Sequence, residues 1–148
     1  MSYVENKKIG LSYSLGETFE AGIKLTGQEV KSVKRKQGSL EGGKVIVRGG
    51  EAFIIGAFIP PYQVNNADKS YDPYRVRKLL LTSKEIEKLY YESENKSLTI
   101  LPLSLYGKGV LIKCSLALGK RKTKGDKRED LKEKESRRDL RNVSHGMI

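Results

Sequence analysis

The clearest pattern in the chain is an alternation of apolar and polar residues over 18–25, which is typical of a strand with one buried face. The apolar positions are Phe19, Ala21, Ile23 and Leu25. The period changes at Thr26, because Thr26 and Glu29 have the spacing of a helix capping box. We therefore predict a strand that leads almost directly into a helix over 28–36, with Glu20 on the outer face of the strand.

Two apolar segments, 44–48 and 51–59, are separated only by Gly49 and Gly50, and this spacing predicts a β-hairpin with a tight turn. Two prolines then end the second strand, because proline cannot donate to a sheet ladder. The polar residues 63–73 predict an exposed loop.

The second half of the chain combines a helix with two further strands. Thr82 and Glu85 repeat the capping-box spacing and begin a predicted helix that ends near Asn95. The segments 97–103 and 110–118 predict strands on either side of a glycine-containing turn. In the latter strand, the residues predicted to share one face are Val110, Ile112, Cys114, Leu116 and Leu118.

Five or six short strands with two short helices predict a small, mainly β, antiparallel fold. A barrel of the oligonucleotide-binding (OB-like) type suits this strand count and removes the sheet edges, and a β-sandwich is the alternative. Residues 1–16 show little periodicity and predict a partly ordered arm before the first strand. The predicted body is therefore an OB-like barrel over 1–118 that includes this arm.

The composition changes after residue 118. Residues 119–148 contain eleven Lys and Arg, six Asp and Glu, and too few apolar side chains to offset the cost of ordering. Acid-before-base pairs such as Asp130 and Lys134 favour a helix, but isolated helices of about 12–15 residues are marginal in water. We predict a basic tail over 119–148 that is disordered alone and helical against a polyanion.

The whole chain carries a formal net charge of +11, from 29 Lys and Arg and 18 Asp and Glu. This charge indicates nucleic acid as the first expected partner and an anionic membrane surface as the second. No apolar run is long enough to span a bilayer, and the first residues lack the apolar core of a signal peptide. Cys114 predicts a reduced thiol in the core. We expect a monomeric, cytoplasmic protein with no membrane partner.

The residues that an enzyme needs do not occur together in the sequence. His145 is the only histidine and Cys114 the only cysteine, which is too few for a zinc site. Neither a Walker A sequence nor a G-x-G-x-x-G motif precedes a helix. We therefore predict a protein without catalytic activity, metal or cofactor.

Two groups of basic residues are candidates for binding RNA. The first lies at the end of the predicted 28–36 helix, where cations also complement the helix dipole: Lys31, Lys34 and Arg35. The second interleaves an aromatic ring with cations, a pattern that stacks bases and neutralises phosphates: Tyr74, Arg75, Arg77 and Lys78. The alternatives are a solvated helix end for the first group, and a tyrosine on the barrel wall with solvated charges for the second.

Five segments in order resemble the SsrA-binding protein (SmpB) family: FEAGIKLTGQEVKS, GEAFIIGAFIPPY, DPYRVRKLLLTSKEI, LPLSLYGKG and GKRKTKGDKRED. The resemblance extends over about 6–141. It implies an OB-like barrel core without catalytic activity. It also implies two partners in bacterial ribosome rescue, transfer-messenger RNA (tmRNA) and the ribosome.

The resemblance also implies roles for single residues. Glu20, in FEAG, is implicated in RNA binding, because a carboxylate accepts from base amino groups or a 2′-hydroxyl and so selects an RNA. The alternative for Glu20 is an ordinary salt bridge with Lys24 or Lys31. Motif matching extends the RNA-binding role to three further residues: Asn6, Tyr13 and Leu80. For Leu80, which lies in an apolar run, core packing is the alternative.

For the tail, the resemblance implies entry into the empty messenger channel of a stalled ribosome, where the tail becomes helical. The residues expected to engage the ribosome are Lys120, Arg121, Lys122, Asp126, Lys127 and Arg128. An unspecific basic tail is the alternative. Two other classes of protein also remain open, a structural ribosomal protein and a generic single-strand-binding barrel.

Overall fold

The structure is a computed structural model that describes residues 2–63 and 70–123. The described residues form seven strands: β1 (Ser2–Glu5), β2 (Tyr13–Ile23), β3 (Lys44–Arg48), β4 (Glu51–Ile55), β5 (Arg77–Leu80), β6 (Thr99–Lys108) and β7 (Leu111–Arg121). They also form three helices: α1 (Ile9–Ser12), α2 (Gly27–Lys34) and α3 (Ser83–Asn95).

All seven strands of the described chain belong to one antiparallel sheet, in the order β1-β6-β3-β4-β5-β2-β7. A further pairing between β6 and β7 joins the sheet into a ring of hydrogen-bonded strands. The predicted mainly β, antiparallel fold is confirmed. Closure of the ring favours the predicted barrel over a sandwich, because a closed sheet leaves few free edges.

The core lies inside this ring and follows the alternation seen in the sequence. In neighbouring strands, Ala21 lies opposite Cys114, Cys114 lies opposite Leu105, and all three are almost completely buried. Val33 of α2 and Leu89 of α3 add fully buried side chains to the same apolar cluster. Burial raises the pKa of the Cys114 thiol to about 12, so this cysteine is a neutral core residue.

Both predicted capping boxes are present. The Glu29 backbone amide donates to the Thr26 hydroxyl at 3.2 Å, and the Glu29 carboxylate accepts from the Thr26 amide at 2.9 Å. Thr82 and Glu85 make the same reciprocal pair at the start of α3. Helix α2 ends at Lys34, two residues earlier than predicted, because Lys36 adopts a φ of 61° that does not continue a helix.

The first residues are more ordered than predicted. Residues 1–16 were expected to form a partly ordered arm, but β1 pairs with β6, and β2 already begins at Tyr13. The side-chain amide of Asn6 donates to the backbone carbonyls of Pro102 at 3.0 Å and Leu40 at 3.4 Å. Strand β1 is therefore stabilised by its pairing with β6, which lies about 100 residues later in the chain. The local pattern of apolar residues does not show this pairing.

The last strand extends beyond residue 118, where it was predicted to end. Residues 119–121 continue β7 and pair with the beginning of β2. Lys122 extends the contact, because its backbone amide donates to the Ser12 carbonyl and its ammonium group donates to the Gly10 carbonyl, both at 2.9 Å. Residues 120 and 121 carry charged side chains, so the sequence pattern did not indicate a strand there. Their pairing with β2 uses only backbone groups.

Parts of two predicted segments lie outside the described residues. These parts are 64–69 of the polar loop and 124–148 of the tail, including Asp126, Lys127 and Arg128. The disorder of the tail, and its helix on a polyanion, therefore remain predictions.

Two apolar side chains near strand ends lie on the surface. Val110 does not join the inward face of β7, because it lies in the turn that Gly109 forms with a φ of 62°, and it is 88% exposed. Strand β5 was not predicted. Successive side chains of this strand point to opposite faces of the sheet, so two neighbouring leucines differ in burial. Leu79 is buried, whereas Leu80 is 48% exposed.

A buried ion-pair network joins α2 to β5. The Glu29 side chain is 1% exposed, and its carboxylate accepts from Nε of Arg77 at 2.7 Å and from Nε of Arg75 at 2.8 Å. The hydroxyl of Tyr71 lies 3.1 Å from the same carboxylate. Arg77 has no exposed side-chain surface, and its other N–H groups donate to backbone carbonyls at Ala57, Pro73 and Arg75.

Every buried charge in this network therefore has partners. Among the described residues, every buried side-chain nitrogen or oxygen has a hydrogen-bond partner. Burial alone would raise the pKa of Glu29, but hydrogen bonds from Arg75, the Thr26 amide and Arg77 lower it to about 2. The network fixes the position of α2 against the strand that follows the polar loop.

Replacement of Glu29 by glutamine should lower the free energy of unfolding by about 3–5 kcal/mol, because it leaves Arg77 buried without a counter-charge. Urea denaturation measures this loss. The matched control is Glu17→Gln, which removes an exposed ion pair with Lys88 and should cost less than about 1 kcal/mol. Equal losses in the two variants would contradict the structural role of Glu29.

The same variant should change the pH dependence of stability. The pKa of Glu29 is lowered from 4.5 to about 2 in the folded state, so its contribution is complete above pH 4.5 and is lost as the pH falls through 2. The free energy of unfolding of the unmodified protein should decline over this interval. Glu29→Gln should decline less steeply, and parallel curves would contradict the shift.

Candidate RNA interface

The closed sheet places four residues in one row across its outer surface. Leu80 of β5 lies opposite Gly22 of β2, Gly22 lies opposite Lys113 of β7, and Lys113 lies opposite Tyr106 of β6. Their sequence neighbours point into the core: Leu79, Ala21, Cys114 and Leu105. Because successive side chains of a strand alternate between faces, these four residues face outward. We call this set of four residues the outer row.

Leu80 is a surface residue of the outer row and not part of the core. Gly22 provides room beside it, since a Cβ atom added to Gly22 would lie only 3.2 Å from the Leu80 Cβ atom. The alternative of core packing is therefore wrong for Leu80. An exposed leucine beside a glycine is an apolar surface that a base or a ribose can contact.

Glu20 lies next to the outer row and is bound by two side chains of β6. The hydroxyl of Tyr106 donates to Oε2, and the ammonium group of Lys108 donates to Oε1 at 3.0 Å. Sequence analysis predicted Lys24 or Lys31 as the ordinary partner. The ion pair that Glu20 makes in the structure is instead with Lys108, which lies 88 positions away in sequence.

These hydrogen bonds shift the pKa values of Glu20 and Tyr106 in opposite directions. The hydrogen bond from Tyr106, followed by that from Lys108, lowers the pKa of Glu20. Burial, assisted by the bond to Glu20, raises the pKa of Tyr106 to about 12. At neutral pH Glu20 is therefore a carboxylate and Tyr106 a hydroxyl donor. A carboxylate has about four acceptor sites, so lone pairs remain for donors on an RNA.

Several lysines lie on β2, β5 and β7 or directly beside them, and Lys113 and Lys108 act on the charge of this carboxylate. Lys78 lies on β5 and Lys24 directly follows β2, and the Lys24 amide donates to the Lys78 carbonyl at 2.9 Å. The Lys78 ammonium group also pairs with Glu51 at 3.2 Å, at an exposed position. Lys113 completes the group from within the outer row. The arrangement combines one selective acceptor with cations that attract phosphate.

A second basic surface lies at the end of α2. We call it the helix-end patch, and it consists of Lys31, Lys34, Arg35 and Tyr62. The Arg35 guanidinium lies 4.6 Å from the centre of the Tyr62 ring, and the Lys31 ammonium lies 5.6 Å from it. These are cation–π distances, so the ring holds two of the cations beside the exposed Lys34.

The second predicted basic group does not form a single surface. Tyr74 is 56% exposed and packs against Phe58 with ring centres 5.1 Å apart, which agrees with a tyrosine on the barrel wall. Arg77 is completely buried, and this contradicts its predicted contact with RNA. Arg75 keeps some exposed surface but is paired with Glu29. Within this group, Tyr74 and Lys78 remain candidates with accessible functional groups.

Asn6 and Tyr13 also lie mainly inside the protein. Each is 8% exposed, and the Asn6 amide nitrogen donates to two backbone carbonyls. The structure thus gives Asn6 a structural role, and its contact with RNA stays a prediction. Tyr13 packs beside Gly119, where a Cβ atom would lie 3.3 Å from the Tyr13 Cβ atom. Tyr13 therefore packs where β2 pairs with β7, and this packing gives it a structural role. Its contact with RNA stays a prediction.

The beginning of the predicted tail is part of this structure. Lys120 and Arg121 are exposed at the end of β7, and Lys122 is held against the α1 segment. Within 2–63 and 70–123, no group of three or more His, Cys, Asp and Glu side chains is arranged to hold a metal ion. None of the helices described in these ranges is both long and apolar enough to cross a membrane.

Comparison with known proteins gives the same family over almost the entire chain. The model of the SmpB protein family matches residues 3–145. The SsrA-binding protein of Microcystis aeruginosa is 46% identical over 136 residues, which cover 92% of this chain and 88% of that protein. The SsrA-binding protein of Rubrobacter xylanophilus is 42% identical over 138 residues, covering 93% and 91% of the two chains.

A solved structure described as "tmRNA-SmpB: a journey to the center of the bacterial ribosome" contains a similar chain. It is 34% identical, superposes with a TM-score of 0.69, and the match covers 86% of this chain and 92% of that one. The resemblance predicted from the five sequence segments is confirmed. The chain belongs to the SmpB protein family.

Proposed function

We propose that this protein binds the tRNA-like domain of tmRNA and delivers the alanine-charged RNA to stalled ribosomes. The main support is the outer surface of the sheet, where Leu80 of β5 lies opposite Gly22, two residues after Glu20 in β2, although Glu20 and Leu80 come from separate sequence motifs. Relatives are SsrA-binding proteins, and a similar chain belongs to a tmRNA-SmpB structure. The stalled peptide then passes to the alanine of the RNA and is tagged for proteolysis.

In this proposal, affinity and selectivity come from different groups. Lysines around the outer row and the helix-end patch neutralise phosphates, which carry no sequence information. The Glu20 carboxylate accepts hydrogen bonds from base amino groups or 2′-hydroxyls, and therefore requires a matching RNA surface. A generic single-strand-binding barrel is less well supported, because its face would present stacking rings and not a fixed carboxylate.

The tail contributes the ribosomal part of the proposed function. Lys120, Arg121 and Lys122 begin it at the edge of the barrel, and we place Asp126, Lys127 and Arg128 in the vacant messenger channel. The tail would occupy the site of a codon–anticodon helix and become helical there. The proposed protein acts as one copy, without catalysis of its own, in the compartment that contains ribosomes.

Replacement of Glu20 by glutamine should reduce the preference for tmRNA over bulk tRNA by about tenfold, because it removes the anionic acceptor but no cation. Gel-shift competition between labelled tmRNA and each unlabelled RNA measures this preference. The dependence of log affinity on log salt concentration should not change. A change in the salt slope without a change in preference would contradict the role of Glu20.

The matched control is Lys34→Gln in the helix-end patch. It should weaken the binding of both RNAs to a similar extent and reduce the magnitude of the salt slope by about 0.7–0.9, as expected for one lost phosphate contact. If the unmodified protein binds tmRNA and bulk tRNA equally well, the proposed function is wrong.

A variant that ends at Thr123 tests the role of the tail. It retains all of the described structure, so it should keep its preference for tmRNA over tRNA. It should nevertheless lose the release of ribosomes stalled on a message without a stop codon, measured in a translation extract by peptide tagging. Full tagging activity in this variant would show that the tail is not required.

A further inference from the structure

The Glu20 carboxylate is constrained at both of its oxygens, although it lies on the surface. Oε2 accepts from the hydroxyl of Tyr106, and Oε1 accepts from the ammonium group of Lys108. Both donors belong to β6, which is separated from β2 by β7. The direction in which Glu20 can present its remaining lone pairs is therefore set by another strand.

The side chains between the two strands make this contact possible. Glu20 lies opposite Ser115 of β7, and Ser115 lies opposite Ser104 of β6. Two small side chains thus leave a shallow space on the outer surface. The Glu20 and Tyr106 side chains meet across this space, in spite of the intervening strand.

Tyr106 is better suited than Lys108 to orient the carboxylate. Its backbone lies within β6, paired with Lys113 of β7 on one side and Ser2 of β1 on the other. Its ring is half-buried and has only two side-chain torsions. The Lys108 side chain is 64% exposed, and an ammonium group on a flexible four-carbon chain is a less directional partner.

We propose that Tyr106 is a positioning residue for RNA selection, whose hydroxyl fixes the Glu20 carboxylate in the orientation that recognises the RNA. This inference rests on the proposed function and deepens it. With one oxygen held by Tyr106 and the other by Lys108, the carboxylate still has unoccupied acceptor sites for donors on an RNA. An acceptor that is oriented before binding loses less conformational freedom when it binds and rejects donors in other positions.

Tyr106→Phe tests this proposal, because it removes the hydroxyl and keeps the ring. The variant should lose about tenfold of the preference for tmRNA over bulk tRNA in gel-shift competition, while its affinity for bulk tRNA and its salt slope stay unchanged. The matched control is Tyr90→Phe, which removes a tyrosine hydroxyl on exposed α3 and should change neither quantity.

A double-mutant cycle separates positioning from direct contact. If Tyr106 acts through Glu20, Tyr106→Phe should have no further effect on selectivity in a Glu20→Gln background. The carboxyl carbon of Glu20, observed by NMR in the free protein, should also titrate at a higher pH in Tyr106→Phe than in the unmodified protein. A loss of stability alone would produce neither result.

The outcomes distinguish this inference from the function on which it rests. If the unmodified protein shows no preference for tmRNA, the proposed function fails. If the preference exists but Tyr106→Phe retains it, the positioning role is wrong. It is also wrong if the same loss occurs in the Glu20→Gln background, because Tyr106 would then act independently of Glu20.

Discussion

The pairing of β7 with both β2 and β6 is the constraint on which this structure depends. The two ladders run along most of the strand and close the sheet, so that residues from the beginning and the end of the described chain share one surface. Closure buries Cys114 and Leu116 on the inside. On the outside it brings Glu20 within reach of Tyr106, a residue 86 positions away. The core and the candidate interface therefore follow from the same hydrogen-bond pattern.

Two glutamates illustrate how the environment gives one side chain different roles. Glu29 is buried and ion-paired with Arg77, and its hydrogen bonds are all directed at the protein. Glu20 is also ionised and hydrogen-bonded, but it lies at the surface with acceptor capacity left over. The first positions α2, and with it the helix-end patch. The second, in the proposed function, distinguishes one folded RNA from others.

Sequence analysis predicted the features that are encoded locally. The capping boxes at Thr26 and Thr82 depend on residues three positions apart, and the hairpin turn at Gly49 and Gly50 requires positive φ angles that glycine readily adopts. The apolar alternation of β2 likewise identified the inward and outward faces. These features can be predicted from neighbouring residues alone, without knowing which distant segments they contact.

The features that were missed depend on contacts between distant segments. Strand β1 and residues 119–121 are stabilised by backbone pairing, which places little demand on their side chains. Arg77 resembles a solvated cation in sequence, because its partner Glu29 lies 48 positions earlier. Tyr106 had no signal of its own in an ordinary strand pattern. Its importance became visible only when the closed sheet placed it against Glu20.

Site-specific photo-crosslinking to tmRNA from positions 80 and 90 would test most directly whether the outer surface of the sheet recognises the RNA. Both positions carry exposed side chains of similar accessibility, one in the outer row and the other on α3. A crosslinker at position 80 should capture the tRNA-like domain, and one at position 90 should not. Efficient capture from position 90 with none from position 80 would place the RNA on a different face of the barrel.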